Sequence, residues 1–247
     1  MVILNHRVHV LSRKEDLEPA LVAGRVAVVL DILFATTSMV NALAHGASAI
    51  VPVKDEVSAR AEASSRPAGT TLLAGELDAV TLPGFAPPTP LALARRELGG
   101  RTVVHSTTNG TIAFGLAAGA QAVYAGALIN AKALVDHLLK AHPDEPLLIV
   151  CAGSMGNFNL EDFVGAGCLV DMLAARLGAD ADLSDGARAA RTVYRSDTPE
   201  ALLLGSRVGR MFAERGLGEE VRYCARLSML PVIARMQDGE LRPVGPG

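Results

Sequence analysis

The sequence predicts a three-layer α/β/α protein built on a mostly parallel sheet. Short β-branched apolar runs alternate with helical patterns roughly every 25 residues, which is typical of strand–helix units. Several of these runs are apolar at almost every position, as expected for strands that are buried on both faces. Three of them lead into a polar turn directly before a helix, at the end of the sheet where parallel α/β proteins bind ligands.

The chain has 247 residues, half of them hydrophobic, which suffices for one large domain or two small lobes. We expect one α/β unit over 1–247. A division into two α/β lobes, with a boundary near 125–146, is the alternative.

Composition excludes several classes of protein. The net charge is −3 and the charges are interspersed, without the basic stripe or aromatic platform of a nucleic-acid-binding protein. Three widely spaced cysteines do not form a disulfide framework. The longest apolar run, Val26–Ala35, contains Asp31 and is too short to span a bilayer, and the N-terminus lacks a signal-peptide layout. We expect a cytoplasmic protein without nucleic-acid or membrane partners, and a homo-oligomer is left open.

The first segment, 1–24, predicts an edge strand and a short helix. The strand carries His6 and His9, for which exposure on an edge and metal ligation are the alternatives. Ser12 followed by Glu15 fits a capping box at the start of the helix.

The first strand–turn–helix unit is Val26–Leu30, then Asp31, then a helix from about Thr37 that is preceded by Thr36. An acid at the end of a buried strand is costly unless it is paired, hydrogen-bonded or bound to metal. Capping of the next turn is the structural interpretation. Ligation of Mg²⁺, which favours one or two carboxylates together with waters and phosphate oxygens, is the functional one.

The next elements repeat this pattern. A strand over 47–53 and a helix over 54–63 precede a strand over 70–74, after which Glu76 again places an acid behind a buried strand. The proline-rich stretch 81–90 has no clear period and predicts a long loop that covers the site.

The second polar turn follows a strand that begins at Thr102. It consists of small hydroxyls, an amide and a glycine: Ser106, Thr107, Thr108, Asn109, Gly110 and Thr111. Backbone N–H groups at a helix N-terminus lack intrahelical acceptors and attract anions, so this turn could hold phosphate or carboxylate without a lysine. Ordinary N-capping is the alternative.

The third turn follows the strand Leu147–Cys151. The residues predicted to serve the site on this turn and the helix after it are Gly153, Ser154, Glu161 and Asp162. The structural alternative is that Asn159 caps the helix with Asp162 as its partner.

The remaining pattern predicts a strand over 122–128, a helix over 130–141, helices over 182–226 and a closing hairpin over 230–244 with a tight turn at Asp238–Gly239.

Four segments carry a resemblance: Asp31-Ile-Leu-Phe-Ala-Thr-Thr, Gly75-Glu76, Ser106-Thr-Thr-Asn-Gly-Thr111 and Cys151-Ala-Gly with Glu161-Asp162. In order and spacing, the chain resembles the 2-phosphosulfolactate phosphatase family (ComB-like) over nearly its whole length. The resemblance implies an α/β fold, magnesium dependence and removal of phosphate from a small sulfonated acid.

The resemblance therefore implies metal-assisted hydrolysis of a small anionic phosphorylated substrate, with water as the simplest nucleophile. The candidate catalytic residues are Asp31, Glu76, Glu161 and Asp162, and the metal ligands among them are Asp31, Glu76 and Asp162. The candidate substrate-binding residues are Thr36, Thr37, Ser106, Thr107, Thr108, Asn109, Gly110, Thr111, Gly153 and Ser154. A diverged, non-catalytic binder of a phosphorylated or carboxylated metabolite is the alternative.

The chain departs from the family pattern at its substrate-binding positions. Phe34 and Leu77 stand where the family typically has arginines, and 84–90 lacks the family's acid and asparagine. Arginine is the natural bidentate partner of phosphate, carboxylate and sulfonate. We therefore expect weak activity on 2-phosphosulfolactate and a changed substrate, unless an arginine such as Arg101 or Arg207 takes over.

Overall fold

The structure is a computed structural model that describes residues 6–77, 79–107 and 109–245. Within these residues, a large, mostly parallel sheet of ten strands is flanked by helices, which confirms the predicted α/β class. No helix within the described residues is long and apolar enough to cross a membrane.

The strands are β1 (Val8–Leu11), β2 (Val26–Leu30), β3 (Ala49–Val53), β4 (Thr71–Leu77), β5 (Val80–Thr81), β6 (Thr102–Ser106), β7 (Ala122–Gly126), β8 (Leu147–Cys151), β9 (Ala234–Gln237) and β10 (Glu240–Pro243). Their order in the sheet is β1-β8-β2-β7-β9-β10-β3-β6-β4-β5.

The helices are α1 (Ala35–Ala44), α2 (Glu56–Ser64), α3 (Pro90–Ala94), α4 (Gly110–Ala117), α5 (Ala131–Ala141), α6 (Leu160–Leu177), α7 (Asp185–Tyr194), α8 (Pro199–Gly205), α9 (Arg207–Glu214) and α10 (Gly218–Cys224).

The central strands are buried on both faces. In β2 every residue is fully buried: Val28 and Leu30 pack into one apolar cluster with α5 and α6, while Ala27 and Val29 pack into another with α1 and α4. Alternate side chains of a strand point to opposite faces, so a continuous apolar run serves two helix layers at once. This is the three-layer arrangement that the composition of β2 predicts.

The hairpin of β9 and β10 lies in the middle of the sheet, although its position at the end of the sequence gives no sign of this. It pairs antiparallel with β7 on one side and with β3 on the other. Its turn uses Asp238 and Gly239 with φ of 50° and 82°, the left-handed conformation that two-residue hairpins need. The parallel group β3-β6-β4 therefore runs opposite to the parallel group β1-β8-β2-β7.

The turns that follow β2 and β6 meet, although the two strands belong to groups that run in opposite directions. Neighbouring strands rotate by roughly 20 to 25°, and five steps separate β2 from β6 in the sheet. A rotation of about 100 to 125° accumulates over those steps. Two strands that differ by such a rotation are no longer strictly antiparallel, so the turns after them can lie at one cleft; a Cβ at Gly110 would lie 3.0 Å from Oδ2 of Asp31.

The segment after β1 differs from the capped helix predicted there. It forms two short 3₁₀ turns, Lys14–Asp16 and Pro19–Leu21, because a proline has no N–H to continue a helical hydrogen-bond ladder. The expected exposure of both imidazoles is wrong for His9, which is buried on the edge strand β1; His6, just before β1, is exposed, and its Nδ1 lies 2.8 Å from Oδ1 of Asp182. The short turns point Lys14 into the protein, where it is only 4% exposed.

Candidate active site

The turn after β2 is held by its own hydroxyls. The hydroxyl of Thr36 donates to the carbonyl of Asp31 and accepts from the N–H of Asp31, both at 3.0 Å. The hydroxyl of Thr37 donates to the carbonyl of Ile32 at 2.9 Å. Both threonines are buried, so their side chains shape the turn from inside. The carboxylate of Asp31 faces the cleft described below, and among the described residues the N–H of Ala35 makes a long contact of 3.4 Å to it.

Asp162 fastens this turn to the one after β8. Its Oδ1 accepts from the N–H of Ile32 at 2.8 Å, and its Oδ2 accepts from the N–H of Gly153 at 3.0 Å. Asp162 is 1% exposed. Burial raises its pKa well above the usual value, and the charges of Asp31 and Glu161 raise it further. Asp162 thus joins two turns, which the capping interpretation did not anticipate.

Asn159 also differs from its predicted role. It occupies the N-cap position of α6 but caps no backbone N–H there. Its Oδ1 instead accepts from the hydroxyl of Ser154 at 2.9 Å and from Nη2 of Arg207 at 3.1 Å.

The turn after β6 meets both of the others. Asn109 Oδ1 accepts from the N–H of Met155 at 3.4 Å and from Nζ of Lys14 at 3.3 Å. At Gly110, a Cβ would lie 3.0 Å from both Oδ2 of Asp31 and the Cβ of Ala35. Glycine is therefore what allows α4 to begin directly against the Asp31 carboxylate.

Two other residues predicted on this turn, Ser106 and Thr111, lie deeper. Ser106 is the last residue of β6 and is buried, and Thr111 lies in the first turn of α4 with a buried hydroxyl. Thr107 faces the cleft. Thr108 lies outside the described residues, and its role stays a prediction.

These turns surround a cleft of about 300 Å³. The predicted site residues that line it are Asp31, Glu76, Thr107, Asn109, Gly153 and Ser154. A larger hollow of about 450 Å³ lies between α2 and β4, and none of the predicted site residues lines it. The cleft at the strand ends is therefore the candidate active site.

The carboxylates near the cleft influence one another. Burial raises the pKa of Asp31 to about 6, the charges of Glu161 and Glu76 add to this rise, and Lys14 opposes it. Glu161 is 1% exposed and does not line the cleft. Burial raises its pKa as well, against the opposing effects of Ser206 and Arg207. Asp31 is thus an acid whose protonation changes close to neutral pH.

Sequence reasoning missed two cationic residues at the site, Lys14 and Arg215, and left the role of a third, Arg207, open. Lys14 lies behind the cleft, and its Nζ donates to the carbonyl of Ala152 at 2.9 Å. Arg207, at the start of α9, donates from Nη2 to the hydroxyl of Ser154 at 2.6 Å, and Arg215 lines the cleft just beyond the end of α9. Arg101 instead donates to the carbonyl of Thr71 at the start of β4, outside the cleft.

No simple signal marked these positions. Lys14 lies in a run of charges that resembles a solvated surface, and the helices over 182–226 contain many arginines. Only the packing of α9 against the turn after β8 distinguishes Arg207 from the others.

The positions that depart from the family pattern have different surroundings. Phe34 lines the cleft, and its ring centroid lies 4.4 Å from that of Phe212 on α9. Leu77 is 59% exposed at the end of β4. In the segment 84–90, Pro88 lines the cleft, so part of the predicted covering loop does reach the site.

The carboxylates at the cleft can supply some, but not all, of the ligands of a cation such as Mg²⁺. Within the described residues, no group of three or more histidine, cysteine, aspartate or glutamate side chains is arranged to hold a metal. Magnesium commonly takes only one or two carboxylates, its other ligands being waters and phosphate oxygens. Asp31 and Glu76 line the cleft, and the buried carboxylate oxygens of Glu161 make no well-formed hydrogen bond to the described residues. A site of one or two carboxylates is compatible with this geometry.

Comparison with known proteins shows the family of the chain. The family model described as 2-phosphosulpholactate phosphatase matches residues 11–239. A protein of Carboxydothermus hydrogenoformans is 36% identical over 238 residues, 95% of this chain and 96% of that protein. One of Deinococcus radiodurans is 39% identical over 223 residues, 89% of this chain and 91% of that protein. Both are named probable 2-phosphosulfolactate phosphatase. The chain belongs to the 2-phosphosulfolactate phosphatase family.

Proposed function

We propose that the protein is a Mg²⁺-dependent phosphatase that hydrolyses the phosphate monoester of a small hydroxycarboxylic acid by direct attack of water. The observation that carries this proposal is the arrangement around Asp31. An acid with a pKa of about 6 lines the same cleft as the turn before α4, the turn after β8 and Arg207. The names of the relatives, which specify a phosphorylated 2-hydroxy acid, support the same reaction.

The chain's own residues supply most of the chemistry. The N–H groups at the start of α4 and the guanidinium of Arg207 would hold the phosphoryl oxygens, because a helix N-terminus and an arginine fork both favour such anions. Arg215 would bind the carboxylate of the substrate. Asp31, when ionised, would orient the attacking water and accept its proton.

The metal would be held by Asp31 together with Glu76 or Glu161. Bound there, Mg²⁺ would neutralise charge on the phosphoryl oxygens. Asp162 is less suited to ligate it, because both of its oxygens already accept backbone N–H groups. Its expected part is to keep the two turns in register.

Phosphate release from a panel of small phosphorylated carboxylic acids, with Mg²⁺ and with EDTA, tests the proposal. We expect release from at least one member, loss of release in EDTA, and a loss of at least about a hundredfold in kcat for Asp31→Asn. Asp144→Asn, at an exposed position outside the cleft, is the matched control and should leave kcat unchanged. Release that persists in EDTA, or an Asp31→Asn variant with normal kcat, would contradict the proposed mechanism.

A further inference from the structure

One wall of the cleft is apolar. It consists of Phe34 from the turn after β2 and of Val208, Met211 and Phe212 from α9. Phe34, Val208 and Phe212 are between 6% and 9% exposed, so they are packed into the protein while still bordering the cleft. The contact between the two phenyl rings fixes this wall without any ligand. It is therefore a preformed surface.

The charged groups of the cleft lie elsewhere. Among its described lining residues, the cationic side chains are Arg207 and Arg215. Arg207 is directed towards Ser154 and Asn159 by its hydrogen bonds to them. Two guanidinium groups match two anionic groups, the phosphate and the carboxylate of the proposed substrate. With the carboxylates of Asp31 and Glu76 engaged by the proposed Mg²⁺, the described lining residues offer no further cationic side chain for a third anion.

A sulfonate against the apolar wall would lose its hydration and gain no hydrogen-bond donor there, which is unfavourable. An apolar substituent in the same place would bury its surface against the two rings and Met211, which is favourable.

We propose that the substrate is the phosphate monoester of a 2-hydroxy acid whose third substituent is apolar, an aryl or branched alkyl group seated against Phe34, Met211 and Phe212. This inference rests on the proposed function and specifies its substrate class. In the reaction, the oxygen of water forms a bond to phosphorus and the ester P–O bond breaks. The ester oxygen takes up a proton, so that inorganic phosphate and the free 2-hydroxy acid are released.

A matched pair of substrates tests the inference: the phosphate esters of 3-phenyllactate and of 3-sulfolactate. For the wild type, kcat/KM should be at least about tenfold higher for the phenyl compound. Met211→Arg should lower this preference by about tenfold or more, because it places a cation on the apolar wall. Ala213→Arg adds the same charge at an exposed position on α9 and should leave the preference unchanged. Met211→Gln, a smaller change in polarity, should shift the preference in the same direction as Met211→Arg.

The possible results separate this inference from the proposed function. If the wild type prefers the sulfonate, or if neither Met211 variant changes the preference, the inference is overturned while the phosphatase stands. If neither ester nor any other small phospho-acid releases phosphate, the proposed function fails. Calorimetric binding of 3-phenyllactate and 3-sulfolactate then tests the part of the inference that does not depend on hydrolysis, the preference for an apolar third substituent: tighter binding of 3-phenyllactate supports this preference, and equal or weaker binding overturns it.

Discussion

Lys14 is expected to hold together the turns that follow β8 and β6, and Lys14→Met tests this. Its ammonium lies 2.9 Å from the carbonyl of Ala152, 3.3 Å from Oδ1 of Asn109 and 3.0 Å from a carboxylate oxygen of Glu15. One residue from the segment before β2 thus connects the turn after β8 with the turn after β6. Methionine has a similar length but neither the charge nor the donors.

The size of the effect follows from these contacts. A buried hydrogen bond from a charged donor contributes about 1.5–3 kcal/mol. The longer contact to Asn109 and the half-exposed ion pair with Glu15 add up to about 1 kcal/mol. We therefore expect Lys14→Met to lower the free energy of unfolding by about 2–4 kcal/mol, since the carbonyl of Ala152 then remains buried without this donor.

Lys14 also acts on Asp31, because its positive charge lowers the pKa of that carboxylate. Without the charge, the pKa of Asp31 should rise further, and the rate should reach half of its maximum at a higher pH. Lys14→Gln keeps hydrogen-bond donors but removes the charge. It should therefore lose less stability than Lys14→Met while showing the same shift in the pH profile.

Urea unfolding and the pH dependence of kcat/KM measure these two effects. Lys132→Met is the control, because the Lys132 side chain is 70% exposed and pairs with Asp136 on its own helix. Its unfolding free energy should change by less than about 0.5 kcal/mol. If Lys14→Met unfolds at the wild-type urea concentration and keeps the wild-type pH profile, Lys14 does not connect the turns and the reasoning is refuted.

Three further predictions follow from other contacts. Gly110→Ala should lower kcat by about tenfold or more, because the added Cβ would lie 3.0 Å from Oδ2 of Asp31 and displace that carboxylate. Gly115→Ala is the control: a Cβ added there, on the same helix, meets open space, and kcat should stay near the wild-type value. Glu220→Ala should lower the free energy of unfolding by about 2–4 kcal/mol, because the Glu220 carboxylate on α10 accepts hydrogen bonds from the hydroxyl of Thr89 and from two backbone N–H groups at the start of α3. Urea titration measures this change, and a loss below about 1 kcal/mol would contradict it. Burial lowers the pKa of His105 to about 4. Below pH 6.5 this histidine therefore binds more protons in the unfolded chain than in the folded protein, and the folded protein loses stability as the pH falls towards 4. Relative to His105→Leu, the wild type should lose about 2 kcal/mol between pH 7 and pH 5, and a difference that does not vary with pH would contradict this.

Much of the fold could be predicted from short stretches of sequence. The strands Val26–Leu30 and Leu147–Cys151 lie where their apolar runs predicted them, and the hairpin turn lies at Asp238–Gly239 as predicted. These features depend on residues close in the chain: apolar periodicity marks a buried strand, and a residue pair that tolerates positive φ marks a tight hairpin. The position of Asp31 directly after a buried strand could likewise be predicted from the neighbouring residues in the sequence.

The candidate site could be predicted only in part. Asp31, Asn109 and Ser154 line one cleft, as turns at strand ends suggested. The hydroxyls of Thr36 and Thr37, equally polar in sequence, are directed into the turn instead. Which of two neighbouring hydroxyls faces a ligand depends on the rotation of the turn, and composition does not specify that rotation.

The sequence by itself determined the strand–helix units, their polar turns and the family to which they belong. Only the tertiary structure decided that the hairpin of β9 and β10 divides the sheet, that Lys14 is buried behind the cleft, and that α9 adds Arg207 and an apolar wall to it. Lys14 and Ala152 are 138 residues apart, and Arg207 and Ser154 are 53 apart. Contacts over such distances form because distant segments share one core, and the free energy of that packing is a property of the whole chain rather than of any local pattern.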